Sequence, residues 1–242
     1  MIWKRILGRS RGADAFAPPA PDRPFAAIGD VHGRVDLLER LLGRIDPAFR
    51  IICVGDYVDR GEHSAEVLRL LNSREDVLCI GGNHEDMMMG FLNDPGRYGA
   101  RWLRNGGLQA MASFGVAGVT ETSPEPALTE ARDKLREAMG RDLVTWLETL
   151  PSHWSTGNVG VVHAAADPNL PLVAQSSRVL RWGHPDFRTT PRPDGLWVVH
   201  GHTIVDEPVA SDGRIAIDTG AYATGRLTAA QVSSDGVEFI TA

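Results

Sequence analysis

Several things are scarce in this 242-residue sequence. There are two cysteines, Cys53 and Cys79, and both fall inside apolar runs. Thiols so placed are expected to be buried and reduced, which argues against a disulfide-stapled scaffold. No apolar run approaches the roughly 18 residues a membrane helix needs, so stable membrane insertion is not expected. Positive charge is in deficit: the formal net charge is −6. A chain so charged offers no global attraction to a polyanion, and nucleic acid is not an expected partner. No internal repeat and no low-complexity segment is found.

The first seven residues are too short and too early interrupted to form a secretory apolar core, and a cytoplasmic location is expected. Trp3, Ile6 and Leu7 could form one face of a small basic turn, a frayed tail being the plainer reading. Pro18, Pro19, Pro21 and Pro24 then make a stiff, extended lead-in. Residues 1–24 are therefore expected to be a flexible tail, with one folded domain over 25–242.

What is present is a series of apolar runs that stop at polar clusters. Phe25-Ala26-Ala27-Ile28 ends at Gly29-Asp30-Val31-His32-Gly33, and Val35, Leu37, Leu38, Leu41, Leu42 and Ile45 follow at helical spacing. Ile51-Ile52-Cys53-Val54 ends at Gly55-Asp56-Tyr57-Val58-Asp59-Arg60-Gly61, and a helix is expected from Ser64, as N-cap, through Leu71. Val77-Leu78-Cys79-Ile80 ends at Gly81-Gly82-Asn83-His84-Glu85, before a methionine-rich helix. Three such strand–loop–helix units predict an α/β layer of parallel strands. Residues 98–150 read instead as a helical insert walling one side of the site, with helices expected around Trp102 to Phe114, Leu128 to Met139 and Arg141 to Leu150. Strands return before His163, before His200-Gly201-His202 and before Asp218. Alternation around Ser233-Ser234-Asp235-Gly236 predicts a closing antiparallel pair.

A buried strand that ends in acids needs a compensating cation, either Arg60 or a bound metal. Ligands in open α/β sheets gather outside the carboxyl ends of strands. Five such ends carry Asp30 with His32, Asp56, Asn83 with His84, His163, and His202. This mixed oxygen and nitrogen set suits Mn, Fe or Zn and is too nitrogen-rich for Ca or Mg alone. Six donors are compatible with two ions sharing a carboxylate. Taken singly, Asp30 or Asp56 could be a helix cap, Asn83 a turn residue and His163 a core histidine. The joint pattern outweighs these readings, because five of the eight histidines (32, 84, 163, 200 and 202) sit at the ends of apolar runs. His63 and His153 lie in polar context and read as surface.

These motifs, with Asn105-Gly106-Gly107, Val162-His163-Ala164, Gly201-His202-Thr203 and Ile217-Asp218-Thr219-Gly220-Ala221, resemble the calcineurin-like metallophosphoesterases. The branch they resemble is the phosphoprotein phosphatases, with their bacterial and phage serine/threonine members. The resemblance covers roughly residues 25–230. It implies an αββα sandwich of mixed sheets, with Asp30, His32 and bridging Asp56 on one divalent ion and Asp56, Asn83, His163 and His202 on the other. Manganese is the expected metal, with iron or zinc as alternatives. It further implies attack on phosphorus by a hydroxide between the metals, Arg60 gripping phosphate oxygens, and His84, oriented by Asp59, protonating the leaving alkoxide. Asn83 is also placed at the substrate phosphate.

Two features depart from the pattern. Relatives carry a second phosphate-gripping arginine after a Leu-Trp or Ile-Trp pair, where this chain has Leu180-Arg181-Trp182-Gly183-His184. His184 is the expected substitute, with Arg181 or Arg188 reaching in as alternatives. The histidine that ends Gly-His-x-His in distant relatives is absent after Gly201-His202-Thr203-Ile204, and His200 is expected to support the site rather than bind metal. The expected substrates are phosphoserine and phosphothreonine in proteins, with phosphotyrosine or a small phosphoester also considered. The alternatives are a symmetrical dinucleoside tetraphosphate hydrolase and a catalytically inactive binding scaffold.

Overall fold

The computed structural model describes residues 16–242. The basic turn with Trp3, Ile6 and Leu7 lies outside the described residues. The first half of the chain runs β1 (Phe25–Ile28), α1 (Val35–Leu42), β2 (Arg50–Cys53), α2 (Ser64–Asn72), β3 (Val77–Cys79) and α3 (Asn83–Asn93). The insert follows as α4 (Pro95–Trp102), α5 (Leu108–Ser113), α6 (Glu125–Met139) and α7 (Arg141–Thr149). Then come β4 (His153–Thr156), β5 (Val159–Val162), α8 (Ser177–Trp182), β6 (Trp197–His200), β7 (Val209–Ser211) and β8 (Arg214–Ala216). The chain closes with α9 (Ala221–Thr224), β9 (Thr228–Ser233) and β10 (Gly236–Thr241).

The strands form two five-stranded sheets, ordered β10-β9-β1-β2-β3 and β4-β5-β6-β8-β7. The centres, β1-β2-β3 and β5-β6-β8, are parallel, while β9, β10, β4 and β7 join antiparallel at the edges. Because successive side chains in a strand point to opposite faces, β1 serves two cores. Phe25 and Ala27 pack between the sheets with Ile52, Val161, Val199 and Ile215. Ala26 and Ile28 face the helices, among Leu38, Leu68, Phe91 and Trp102. On the far side of the second sheet, Val162 and Val198 pack with Leu172, Leu180 and Phe187. Both sheets are thus apolar on two faces, which is why their central strands read as continuous apolar runs. This is the expected helix–sheet–sheet–helix layering.

The insert departs from expectation at two places, the first being α4, which starts at Pro95, ahead of any helix expected in the insert. The helix expected through Trp102 to Phe114 is interrupted by a π turn at Leu103–Gly107, where Gly106 takes φ 106°. The strands β4 and β7 and helix α8 carry three to six residues each, too few for periodicity to announce them. His153, expected on a polar surface loop, instead lies half-buried on β4 opposite Val162. Residues 16–24 are also more engaged than a free tail. Trp197 Nε1 donates to Ala17 O, Asn158 bonds both Ala20 N and Pro18 O, and Phe16 meets the Trp197 ring edge-on. An extended proline-rich stretch leaves its carbonyls unpaired, and the second sheet supplies the donors. Cys53 and Cys79 are buried neighbours in register on β2 and β3. Among the described residues, no helix is long and apolar enough to cross a membrane.

Candidate active site

The two sheets present the carboxyl ends of their parallel strands on the same side. After β1, β2, β3, β5, β6 and β8 the chain turns sharply and delivers Asp30 with His32, Asp56, Asn83, His163, His202 and Asp218. Among the described residues six non-glycines have positive φ: His32, Asp56, Asp59, Arg60, His202 and Asp212. The last turns the β7–β8 hairpin, and the other five are all residues singled out from sequence. Such backbone costs on the order of 1–3 kcal/mol per residue and persists where the surroundings enforce it. Gly201 shows how tight the approach is, since a Cβ there would fall 1.9 Å from Asp30 Oδ1.

Two sets of potential ligand atoms converge, His32 with Asp56 and His84, and Asp56 with His163 and His202. Asp56 is common to both. His32 Nδ1 lies 2.8 Å from Val58 O and His163 Nδ1 lies 3.0 Å from Val54 O. A carbonyl can only accept, so each ring carries a proton on Nδ1 and turns Nε2 toward Asp56, at 3.6 Å and 3.3 Å. Asn83 Oδ1 sits 2.9 Å from His163 Nε2 and 2.8 Å from His202 Nδ1. Asp30 lies outside the two tight sets; its carboxylate accepts the His202 N–H at 3.0 Å and feels Asp218 and Asp56.

The electrostatics fit a bound cation. Burial, reinforced by Asp218 and Asp56, holds the Asp30 carboxyl well above its usual range. Burial likewise keeps His32 down at about 3 and His202 at about 4, leaving both rings neutral, the form that ligates metal. At His163 burial is outweighed by Asp56, which raises the ring to about 10 and so holds on it a proton that a bound cation would displace. Buried acids that repel one another are relieved by a divalent ion, and oxygen with imidazole donors suits a transition metal. The residues present therefore fit the expected metals.

Beside this cluster, His84 Nδ1 is 2.6 Å from Asp59 Oδ2, and His84 Nε2 is 3.4 Å from Arg60 Nη2. Burial opposes charge on His84, but Asp56 and Asp59 outweigh it and raise its pKa above the usual value. Burial also pushes the Asp59 carboxyl up to about 6 against the pull of His84. The indole N–H of Trp102 donates to both Asp59 oxygens, at 3.0 Å each. The π turn explains the Asn105-Gly106-Gly107 motif: a Cβ on Gly106 would meet Arg60 N at 2.5 Å, and one on Gly107 would enter the Trp102 ring. Arg60 is half-buried, with its guanidinium 4.7 Å from the Tyr222 ring centroid. Among the described residues no carboxylate pairs with it.

Glu85 ties the loops together. Its fully buried carboxylate accepts the N–H groups of Asp56 (2.8 Å), Tyr57 (2.8 Å) and Gly82 (2.9 Å). The loop after β2 is thereby bolted to the start of α3, and Asp56 Oδ1 accepts the His84 N–H at 2.9 Å in return. Glutamate at the third position of a helix is a readable capping signal, although its reach to a second loop is not. Trp102 and Tyr222 left no comparable trace in the sequence.

Other expectations resolve differently. Arg181 does not reach the phosphate region: its Nη1 pairs with Asp86 at 2.5 Å and its Nη2 donates to Leu150 O. Asp86 also accepts the Trp182 N–H, which fixes α8 against α3. Arg188 is exposed. The polar contacts of His184 are with Asp167, 3.7 Å away, and the Asp186 N–H. Ser64 does not cap its own helix; its Oγ accepts the Asp59 N–H, a further support for that loop. His63 is on the surface beside Glu66. His200 is buried against Phe187, its Nδ1 toward Gly201 O.

Comparison with known proteins agrees with this geometry. The chain is 27% identical over 213 residues to serine/threonine-protein phosphatase 2 of Salmonella typhimurium, covering 85% of this chain and 91% of that protein. It is 26% identical over 232 residues to the asymmetrical bis(5'-nucleosyl)-tetraphosphatase PrpE of Oceanobacillus iheyensis, covering 84% and 86%. The crystal structure of a cold-active protein-tyrosine phosphatase from a psychrophilic Shewanella shares the fold, with a TM-score of 0.58 at 18% identity over 90% of this chain and 80% of that one. The calcineurin-like phosphoesterase family model matches residues 23–206, and the chain belongs to that family.

Proposed function

We propose that the protein is a metal-dependent phosphomonoesterase that dephosphorylates proteins at serine and threonine, with aryl phosphoesters also within its reach. The observation that carries this reading is the line Arg60–His84–Asp59. A half-buried guanidinium that no carboxylate pairs with among the described residues is suited to gripping an anion, and it lies against an imidazole whose far nitrogen is held by a buried acid.

One divalent ion would be held by Asp30, His32 and Asp56 and a second by Asp56, Asn83, His163 and His202; when bound, they polarise the phosphoryl oxygens and make water a nucleophile near neutral pH. The chain's own side chains do the rest. Arg60 binds two phosphoryl oxygens through its planar, two-pronged guanidinium. His84 keeps Nδ1–H on Asp59 and presents Nε2 to the departing oxygen, which it protonates. Trp102 and Ser64 keep Asp59 in place. Positioning and charge suffice for phosphoryl transfer, so no covalent phosphoenzyme is required. His184, held at Asp167, contributes little to phosphate binding in this reading.

A second reading, hydrolysis of a dinucleoside tetraphosphate, is favoured by the groove of about 820 Å³ that opens at Arg60 and is roomy enough for a nucleoside. Side-by-side rates on a phosphopeptide and on a dinucleoside tetraphosphate, with manganese present, separate the two. Faster cleavage of the dinucleotide would displace the monoesterase reading. Inertness toward both and toward an aryl phosphate would leave a binding scaffold.

A further inference from the structure

We infer that Tyr222 forms a subsite for an aromatic group next to the phosphate, so that aryl phosphoesters of the phosphotyrosine type bind more tightly than the seryl and threonyl esters this site also turns over. The inference rests on the monoesterase reading. The groove at Arg60 has the helical insert on one wall and the turn after β8 on the other. Tyr222 lines it, half-buried, with the Arg60 guanidinium 4.7 Å from its centroid and the His32 ring edge-on at 5.3 Å. A ring pinned between a cation and an imidazole is a fixed wall, since swinging it out forfeits both contacts. Leu108, 39% exposed, lines the same groove.

The charges sort the occupant further. Arg104 and Glu121 on the groove pair with each other at 2.9 Å, which leaves Arg60 as its uncompensated charge. The groove therefore fits a molecule that is anionic at the Arg60 end and apolar and flat just beyond it. A seryl or threonyl ester places a short aliphatic carbon there and leaves Tyr222 and Leu108 uncovered. A benzene ring one oxygen away from phosphorus covers both.

The test is calorimetric titration of the manganese-loaded full-length protein with phenylphosphonate and with methylphosphonate, neither of which the site can hydrolyse. The wild type is expected to bind the phenyl compound roughly tenfold more tightly. Tyr222→Ala is expected to bring the two affinities within about twofold of each other, and Tyr222→Phe, which keeps the ring, to retain the preference. No preference in the wild type, or one that survives Tyr222→Ala, overturns the inference. So does an equal loss for both compounds, which would mean that Tyr222 only steadies Arg60. Because binding is read without turnover, a protein that prefers phenylphosphonate yet cleaves no monoester would overturn the monoesterase reading and uphold the aryl wall.

Discussion

Replacing Glu85 with Gln tests whether the site is held by a residue that touches neither metal nor substrate. The change preserves shape and replaces one carboxylate oxygen with an NH2 group. Oε2 takes two short donors, Asp56 N at 2.8 Å and Gly82 N at 2.9 Å, while Oε1 takes Tyr57 N at 2.8 Å and the more distant Val58 N at 3.4 Å. The amide will therefore keep its oxygen on the side of the two short bonds and set its NH2 against the Tyr57 N–H, donor facing donor. One buried N–H stranded in this way costs about 1–3 kcal/mol. The two retained bonds lose their charge assistance, about 1 kcal/mol each. Against this stands relief from burying a carboxylate near Asp56, the repulsion that, after burial itself, raises the Glu85 pKa. The balance is a loss of about 2–4 kcal/mol, a large fraction of the 5–15 kcal/mol typical of a domain.

Urea unfolding followed by tryptophan fluorescence reads this directly, the chain having six tryptophans. The titration should be run with chelator and again with manganese. Glu85→Gln should be destabilised under both conditions and should bind manganese more weakly, because Asp56 is positioned by its own N–H on Glu85. A midpoint within about 0.5 kcal/mol of wild type would refute the clamp. A gain in stability would show that repulsion from Asp56 outweighs the hydrogen bonds to Glu85.

Three further outcomes are expected. His84→Asn should lower kcat by about 10²–10⁴ with metal content unchanged by elemental analysis, and parallel loss of metal would reassign the residue as a ligand. Trp102→Phe removes the one N–H that bonds both Asp59 oxygens, and should lower kcat by roughly tenfold and stability by about 1–2 kcal/mol; a change in stability with kcat intact would make Trp102 mere packing. Stripping divalent metal should abolish phosphoester hydrolysis. Restoring manganese at 100 times its Kd should raise unfolding stability by about 2.7 kcal/mol, and a midpoint indifferent to manganese would count against a folded-state metal centre.

The fold was legible where burial is two-sided. β1, β2, β3, β5 and β6 are apolar on both faces, so continuous runs such as Ala26-Ala27-Ile28 announced them within a residue of their observed ends. The polar residues at those ends were legible for the same reason, since an acid closing a buried strand demands an explanation. What escaped was structure made by contact across the chain. β4 is paired only along one side by β5, and its sequence His153-Trp154-Ser155-Thr156 carries no alternation that separates it from a loop. The break at Leu103–Gly107 lies in a stretch whose apolar spacing continues through it, and only the approach of Arg60 to Gly106 requires it. Trp102 reaches Asp59 across 43 positions, a relation that periodicity does not carry.

That division has a physical origin. The residues that bear chemistry stand directly on strand ends, where their identity conflicts with their neighbours and so shows in one dimension. The residues that hold them, Glu85, Trp102, Ser64 and Gly106, are drawn from helices and the insert, where a buried carboxylate, indole, hydroxyl or glycine has many ordinary uses. Yet these are what the strained loops need. Asp56, Asp59 and Arg60 all sit at positive φ, and the N–H groups of the first two are taken by Glu85 Oε2 and Ser64 Oγ rather than by backbone carbonyls. A side-chain acceptor meets the N–H wherever the turn points it, which a sheet ladder does not. The loop can thus aim its acids and its guanidinium at one point without losing hydrogen bonds. Substitutions at the ligands should therefore abolish chemistry while sparing the fold, and substitutions at the clamps should erode both together.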